Sequence, residues 1–178
     1  MSAFEQIGSE TVWSGHIGTV RVERYRHADG EEVVRENVAH PGAVAIVAHD
    51  DEHVWLVRQP REICGEQALL EIPAGKLDVE GEDPRAAAER ELAEEIGKAA
   101  QRWEHLKTIY TSPGFTDERI DVYLATDLRD VPRPAVDEDE RIEIVAWPLH
   151  RLDDAIAECS DAKSLVGLLL LRLRTDRA

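Results

Sequence analysis

The chain has 178 residues, 43% of them hydrophobic, and carries a formal net charge of −16. That length suits one domain with a small appendage, large enough to bury a core without disulfide staples. So acidic a surface argues against nonspecific binding to nucleic acid or to an anionic membrane, and an anionic small molecule would need local arginines or a cation to stay bound. The opening residues, MSAFEQIGSE, lack a basic stretch followed by an apolar one, which argues against a secretory signal. The longest apolar run, Leu165 to Leu171, falls far short of the roughly 20 residues needed to span a bilayer. Cys64 and Cys159 make no disulfide framework and fit a cytoplasmic setting.

The first forty residues read as three short strands, ETVWSG, HIGTVRVERYRH and EEVVRENVAH, with a hairpin turn at Ala28-Asp29-Gly30. Hairpins this small are marginal alone, so this region is expected to pack on the main domain or on a second subunit. From Gly42 the pattern changes to buried strands. AVAIVAH and HVWLVRQ flank a turn at Asp50-Asp51-Glu52, and ALLEIPAG follows as a short strand ending in a Pro and Gly turn. DPRAAAERELAEEIG reads as a helix, with Asp83 as N-cap, Pro84 at the first helical position and Gly97 as the C-terminal stop. Two strands, HLKTIYTSP and IDVYLATDL, then flank the loop GFTDER. An acidic loop, the strand IEIVAWP, and a tail of two helices broken near Ser160-Asp161 complete the chain. Strands mixed with a few helices indicate an α/β or α+β sandwich. The expected organisation is a strand region over 1–40 and a main domain over 41–178.

The densest chemistry is Arg90 to Glu95. Glu91 and Glu95 are four residues apart and project from one side of the helix, with Glu94 on the neighbouring row. Like charges at that spacing repel by roughly 0.2–0.5 kcal/mol per pair. A cation shared among them removes the penalty, and hard divalent ions take such oxygen ligands. The alternative is a solvated acidic face, ordinary in so acidic a protein. The flanking residues decide between the two. GKLDVEGEDPRAAAERELAEEIG, from Gly75 to Gly97, resembles the Nudix box at Glu82, Arg90, Glu91, Leu92, Glu94, Glu95 and Gly97. Two departures are one extra residue between Gly75 and Glu82, and Lys98 where an apolar residue is usual.

The resemblance implies a Nudix α/β/α sandwich with a mixed sheet and a pyrophosphohydrolase activity dependent on Mg²⁺, with Mn²⁺ as a substitute. It implies Glu91 and Glu95 as main metal ligands, Glu94 as a further ligand or catalytic group, the Ala74 carbonyl completing the set, and Arg90 orienting the glutamates. Glu82 would be structural or at an outer metal.

Other pieces resemble the ADP-ribose pyrophosphatase subfamily. Pro113 stands sixteen residues after Gly97 within SPGFTDE, LEIPAG precedes the box, and VRQPRE spans Val57 to Glu62. The N-terminal strands resemble that subfamily's dimerising region. The resemblance implies Arg35, Glu36, Gln59, Arg61 and Gly114 as substrate-binding residues. Arginine suits phosphate because its guanidinium is planar and permanently charged. The aromatic expected to stack on the base has no exact counterpart: its slot holds His16, and Trp13 is the larger candidate nearby. Glu118 is implied as the general base, with Asp117, Glu138 and Glu140 as alternatives. A homodimer acting on a nucleoside diphosphate sugar, best ADP-ribose, is expected. GDP-mannose, a broader nucleotide-sugar range, or a ligand sensor without turnover are the other readings.

Overall fold

The structure, a computed structural model, describes residues 3–15, 18–133 and 141–175. The chain divides into two compact units, 1–42 with 110–119, and 43–109 with 120–178.

In the first unit β1 (Phe4–Ser14), β2 (Thr19–His27) and β3 (Glu32–Ala39) form an antiparallel sheet in that order. The β2–β3 turn closes where expected. The N–H of Gly30 donates to the His27 carbonyl at 2.9 Å, and Gly30 takes φ 90°, a conformation that favours glycine. Residues 110–119 fall in this compact unit. The reason is hydrogen bonding: Asp117 accepts from the Asn37 amide at 3.2 Å and from the His40 N–H at 2.8 Å, and the Val38 N–H donates to the Phe115 carbonyl at 2.8 Å.

The second unit holds a mixed sheet, ordered β10 (Glu143–Pro148), β5 (His53–Arg61), β4 (Ala43–His49), β9 (Arg119–Asp130) and β8 (Lys98–Tyr110). Strand β6 (Glu66–Glu71) pairs with β5, and β7 (Ala74–Lys76) with β4. ALLEIPAG is therefore two strands broken at Ile72-Pro73, where the Pro73 carbonyl accepts from the Ile46 N–H at 2.8 Å. Strand β4 is buried on both faces, and its alternation divides the core. Ala43, Ala45 and Val47 face a cluster with Leu152, Ala155, Leu168 and Leu171, from helices α2 (Leu152–Glu158) and α3 (Ala162–Thr175). Val44, Ile46 and Ala48 face Ala87, Ala88, Leu92 and Ile96 of helix α1 (Pro84–Ile96). This is an α/β/α layering, mixed α/β as expected.

Helix α1 follows its sequence signals. Asp83 accepts from the Arg85 N–H, Pro84 opens the helix, and Gly97 ends it at φ 64° with its N–H on the Ala93 carbonyl. The chain then passes directly into β8, seven residues earlier than the expected strand at His105. The tail forms the two helices expected, α2 and α3, and α3 is one-sided: Gly167, Leu168 and Leu171 are buried, while Leu169 and Leu173 are exposed. Among the described residues no helix is long and apolar enough to cross a membrane.

Gly167 brings α3 against the sheet. A Cβ there would stand 2.8 Å from Val47 Cγ2 and 2.9 Å from Ile72 Cδ1. Gly167→Leu should lower stability by about 1–3 kcal/mol, since overpacking forces neighbours off their rotamers. Gly167→Ala should cost less, because alanine regains about 1 kcal/mol of helix propensity. Urea unfolding midpoints of the two variants check both.

Candidate active site

Helix α1 presents its acidic side through one arginine. Arg90 donates from Nε and Nη2 to the two oxygens of Glu82 at 3.1 and 3.0 Å, and from Nη1 to Glu91 at 2.6 Å and Glu94 at 2.9 Å. Glu82 lies in the loop before the helix, so the pairing also ties that loop down. The bonds to Glu82, opposed by burial and joined by Glu91 and Glu94, push the Arg90 guanidinium further above its already high range. Arg90 in turn holds the Glu82 carboxyl below the ordinary value.

The backbone of β7 closes the other side. The Ala74 N–H donates to Glu95 Oε2 at 3.1 Å, and Glu95 is only 6% exposed. Gly75 meets Glu91: a Cβ at residue 75 would fall 1.9 Å from the Glu91 carboxyl carbon. The structure therefore brings together Ala74, Gly75, Glu82, Arg90, Glu91, Glu94 and Glu95 within the second unit. Among the described residues no three His, Cys, Asp or Glu side chains already stand around a common cation position. Three of these carboxylates instead share the Arg90 guanidinium. The donor set still fits a hard divalent ion, because carboxylate oxygens cluster where a glycine keeps the backbone clear.

Arg61 and Gln59 lie at the end of β5. The register with β6 shifts between Gln59 and Arg61, at Pro60, which cannot donate to the ladder. Beyond the shift Arg61 pairs with Glu71, not with its chain neighbour Glu62: Nε and Nη2 donate to the Glu71 oxygens at 2.6 and 2.8 Å. Glu71 is 1% exposed. Burial would raise its carboxyl, but Arg61 and Lys163 outweigh that and hold it below the usual range. Asp161 follows the same pattern, with burial opposed by Lys163 and by Ser164.

The first unit carries the remaining expected residues. Arg35, Glu36 and Gly114 line a cavity of about 460 Å³ together with Phe4, Tyr25 and Phe115. Glu23, 6% exposed, accepts from the Tyr25 hydroxyl at 2.5 Å in its wall, which raises the tyrosine's pKa. Trp13 is 58% exposed, so it is not core, and its ring covers Gly15, where a Cβ would fall 1.9 Å from it. His16, Glu138 and Glu140 lie outside the described residues. Glu118 accepts from the Thr111 hydroxyl at 2.6 Å and has His40 Nδ1 3.6 Å from its other oxygen. Asp117 is occupied by Asn37 and the His40 backbone.

Sequence reasoning missed Glu23, Tyr25, Glu71 and Lys163. Only Glu71 had a signal: a lone acid inside the apolar run LLEIP needs a buried partner.

Residues 39–166 match the NUDIX domain family. The chain belongs to the Nudix family. It is 47% identical over 145 residues to an ADP-ribose pyrophosphatase of Mycobacterium tuberculosis, covering 81% of this chain and 70% of that one. It is 38% identical over 172 residues to a methanol dehydrogenase activator of Bacillus methanolicus, covering 94% and 92%. A crystal structure of an ADP compounds hydrolase superposes with TM-score 0.83 at 28% identity, over 97% of this chain and 94% of that one. The expectation of a Nudix pyrophosphohydrolase is borne out, and the box read from Gly75 to Gly97 lies inside the matched segment.

Two predictions follow from this geometry. Gly75→Ala should displace the Glu91 carboxylate and lower turnover by on the order of 100-fold, the scale of a 1 Å misplacement, while the thermal midpoint stays close to wild type. Steady-state rates beside a melting curve check it. Glu71 and Asp161 have folded-state pKa values below their unfolded ones, so their contribution is complete above about pH 4 and is lost as pH falls through the folded values. The stability gap between wild type and Asp161→Asn should therefore narrow below about pH 4 in urea titrations.

Proposed function

We propose that this protein hydrolyses the pyrophosphate bond of ADP-ribose, giving AMP and ribose 5-phosphate with Mg²⁺ as the natural ion and Mn²⁺ as a substitute. The observation that carries the reading is the carboxylate cluster of α1 set against the Ala74–Gly75 backbone, with Arg90 holding Glu82, Glu91 and Glu94 in place. Glu91, Glu95 and Glu94, with the Ala74 carbonyl, would hold the ion. When bound, it neutralises diphosphate charge and polarises the phosphoryl oxygens. Phosphoryl chemistry asks mainly for positioning and charge, and the chain's own part is to provide both.

Arg61 and Arg35 are the proposed diphosphate and phosphate contacts, with Gln59 and Glu36 beside them in sequence and Gly114 leaving room. Trp13, and His16 in the expected stacking slot, are the candidates to stack on the base. Glu118 is the proposed base that takes the proton of the attacking water. Its bond from Thr111 fixes its orientation. Glu138 and Glu140 are the alternatives.

A homodimer through the N-terminal sheet is part of the proposal. Phe4, Val12, Trp13 and Val34 are all more than half exposed there, the kind of apolar surface a partner covers. A cytoplasmic location is proposed from the two free cysteines. The substrate is supported by the Mycobacterium tuberculosis relative, named for ADP-ribose, and by the structural neighbour, named for ADP compounds.

The test is AMP release from ADP-ribose, GDP-mannose and other nucleotide sugars, with Mg²⁺, with Mn²⁺ and with chelator. ADP-ribose should be cut fastest, and chelation should stop the reaction. Glu95→Gln should cost on the order of 100-fold or more in kcat with folding intact. Binding of ADP-ribose without AMP release under either metal would overturn the enzyme reading in favour of a sensor. Parallel Glu118→Gln, Glu138→Gln and Glu140→Gln variants identify the base by the largest loss in kcat.

A further inference from the structure

Helix α3 supplies none of the residues assigned to the reaction, yet its first turn grips the strand that leads into the site. Lys163 donates to Glu71 Oε2 at 2.5 Å and to Asp161 at 2.9 Å. Asp161 caps the helix, accepting from the Ser164 N–H at 3.0 Å and from its hydroxyl at 2.5 Å. The Ser164 hydroxyl oxygen accepts from the Ile72 N–H at 2.8 Å. One helical turn thus holds both the Glu71 side chain and the next residue's backbone, just before Ala74 and Gly75.

Glu71 holds Arg61 in turn. The bidentate contact uses Nε and Nη2 and fixes the guanidinium plane. The side chain is still 43% exposed, so the remaining Nη1 edge is the one a ligand can reach. The four charged groups, Arg61, Lys163, Glu71 and Asp161, balance two against two. Without Lys163 the inaccessible Glu71 depends on Arg61 alone, and the Asp161 charge loses its closest cation. The guanidinium is then drawn inward by an under-compensated carboxylate when it should be turned outward.

We infer that Lys163 is a positioning residue for the hydrolysis: through Glu71 it sets Arg61 so that its Nη1 edge meets the diphosphate of the substrate. This rests on the reading of Arg61 as a diphosphate contact. Lys163 touches no substrate. It acts at a distance of one carboxylate, and its effect belongs in binding.

The experiment is a double-mutant cycle on the full chain, with KM and kcat for ADP-ribose and a thermal midpoint for each variant. Arg61→Gln should raise KM by about 10- to 100-fold, the scale of a hydrogen bond to a charged group. Lys163→Met, which keeps the apolar stem, should raise KM by about tenfold and leave kcat within about twofold. Lys163→Arg should restore most of the lost KM. In the Arg61→Gln background Lys163→Met should add nothing, since the group it positions is gone. A structural weakening would instead lower kcat and stability and would add in full. If Arg61→Gln raises KM while Lys163→Met leaves it unchanged, or the two effects add fully, the role of Lys163 is overturned and the Arg61 reading stands. If Arg61→Gln leaves KM at the wild-type value, the Arg61 reading itself fails, and the inference with it. Should Lys163→Met not fold, Lys163→Gln, which can still donate to Glu71 without the charge, takes its place in the same cycle with the same outcomes.

Discussion

One guanidinium holds three carboxylates, and the geometry of helix α1 depends on it. Glu91 and Glu95 repel along one side of α1, and Glu94 and Glu82 add to the repulsion. Arg90 answers with five hydrogen-bond donors in a fixed fork, four of whose contacts go to Glu82, Glu91 and Glu94. A lysine would present one point charge and could not span a loop residue and two helical ones at once. The arrangement also constrains the backbone opposite. With Glu91 held by Arg90, residue 75 can carry no side chain, and Glu95 is turned to the Ala74 N–H.

That constraint propagates into the sheet. Ala74 and Gly75 pair with Ala45 and Val44 of β4, whose alternate residues form the two cores. The strand that receives the site is thus the strand that divides the unit. Its small residues at 43, 45 and 48 let helices approach from both faces, as Gly167 does on the side of α3. Helix α3 fixes Ile72 by a hydrogen bond and packs on it by the same turn and the next. A displacement of α3 therefore reaches Ala74 through only two residues of chain, one of them proline.

Much of this is legible in the sequence. The α1 helix carried its own punctuation in Asp83, Pro84 and Gly97, and the residues flanking its carboxylates, from Gly75 to Gly97, were specific enough to name a chemistry. Local signals of that kind need no tertiary context. The return of residues 110–119 to the first unit was not legible, because Asp117 looks like any loop acid until Asn37 and His40 are beside it, some eighty residues earlier. Arg61 is singled out in the sequence as a substrate contact, but its ion-pair partner is Glu71 on the neighbouring strand and not the adjacent Glu62, which only the pairing of β5 with β6 brings about. Lys163 carries no signal of its own in the sequence. Nothing within its own segment says that a buried glutamate waits ninety-two residues upstream.

The two units also carry different chemistries, and the overall charge explains why each needs its own devices. At −16 the chain repels any diphosphate at long range, and screening limits that field to roughly 10 Å at moderate salt. In the second unit the Arg61 guanidinium is held by the buried Glu71 carboxylate, and that of Arg90 by Glu82, Glu91 and Glu94. The first unit instead lines its cavity with the rings of Phe4, Tyr25 and Phe115, and the Tyr25 hydroxyl is held by Glu23. In an acidic protein such contacts keep cations in fixed positions. Arg90, Arg61 and Lys163 are each tied to at least two oxygens, and that is the same physical solution used three times.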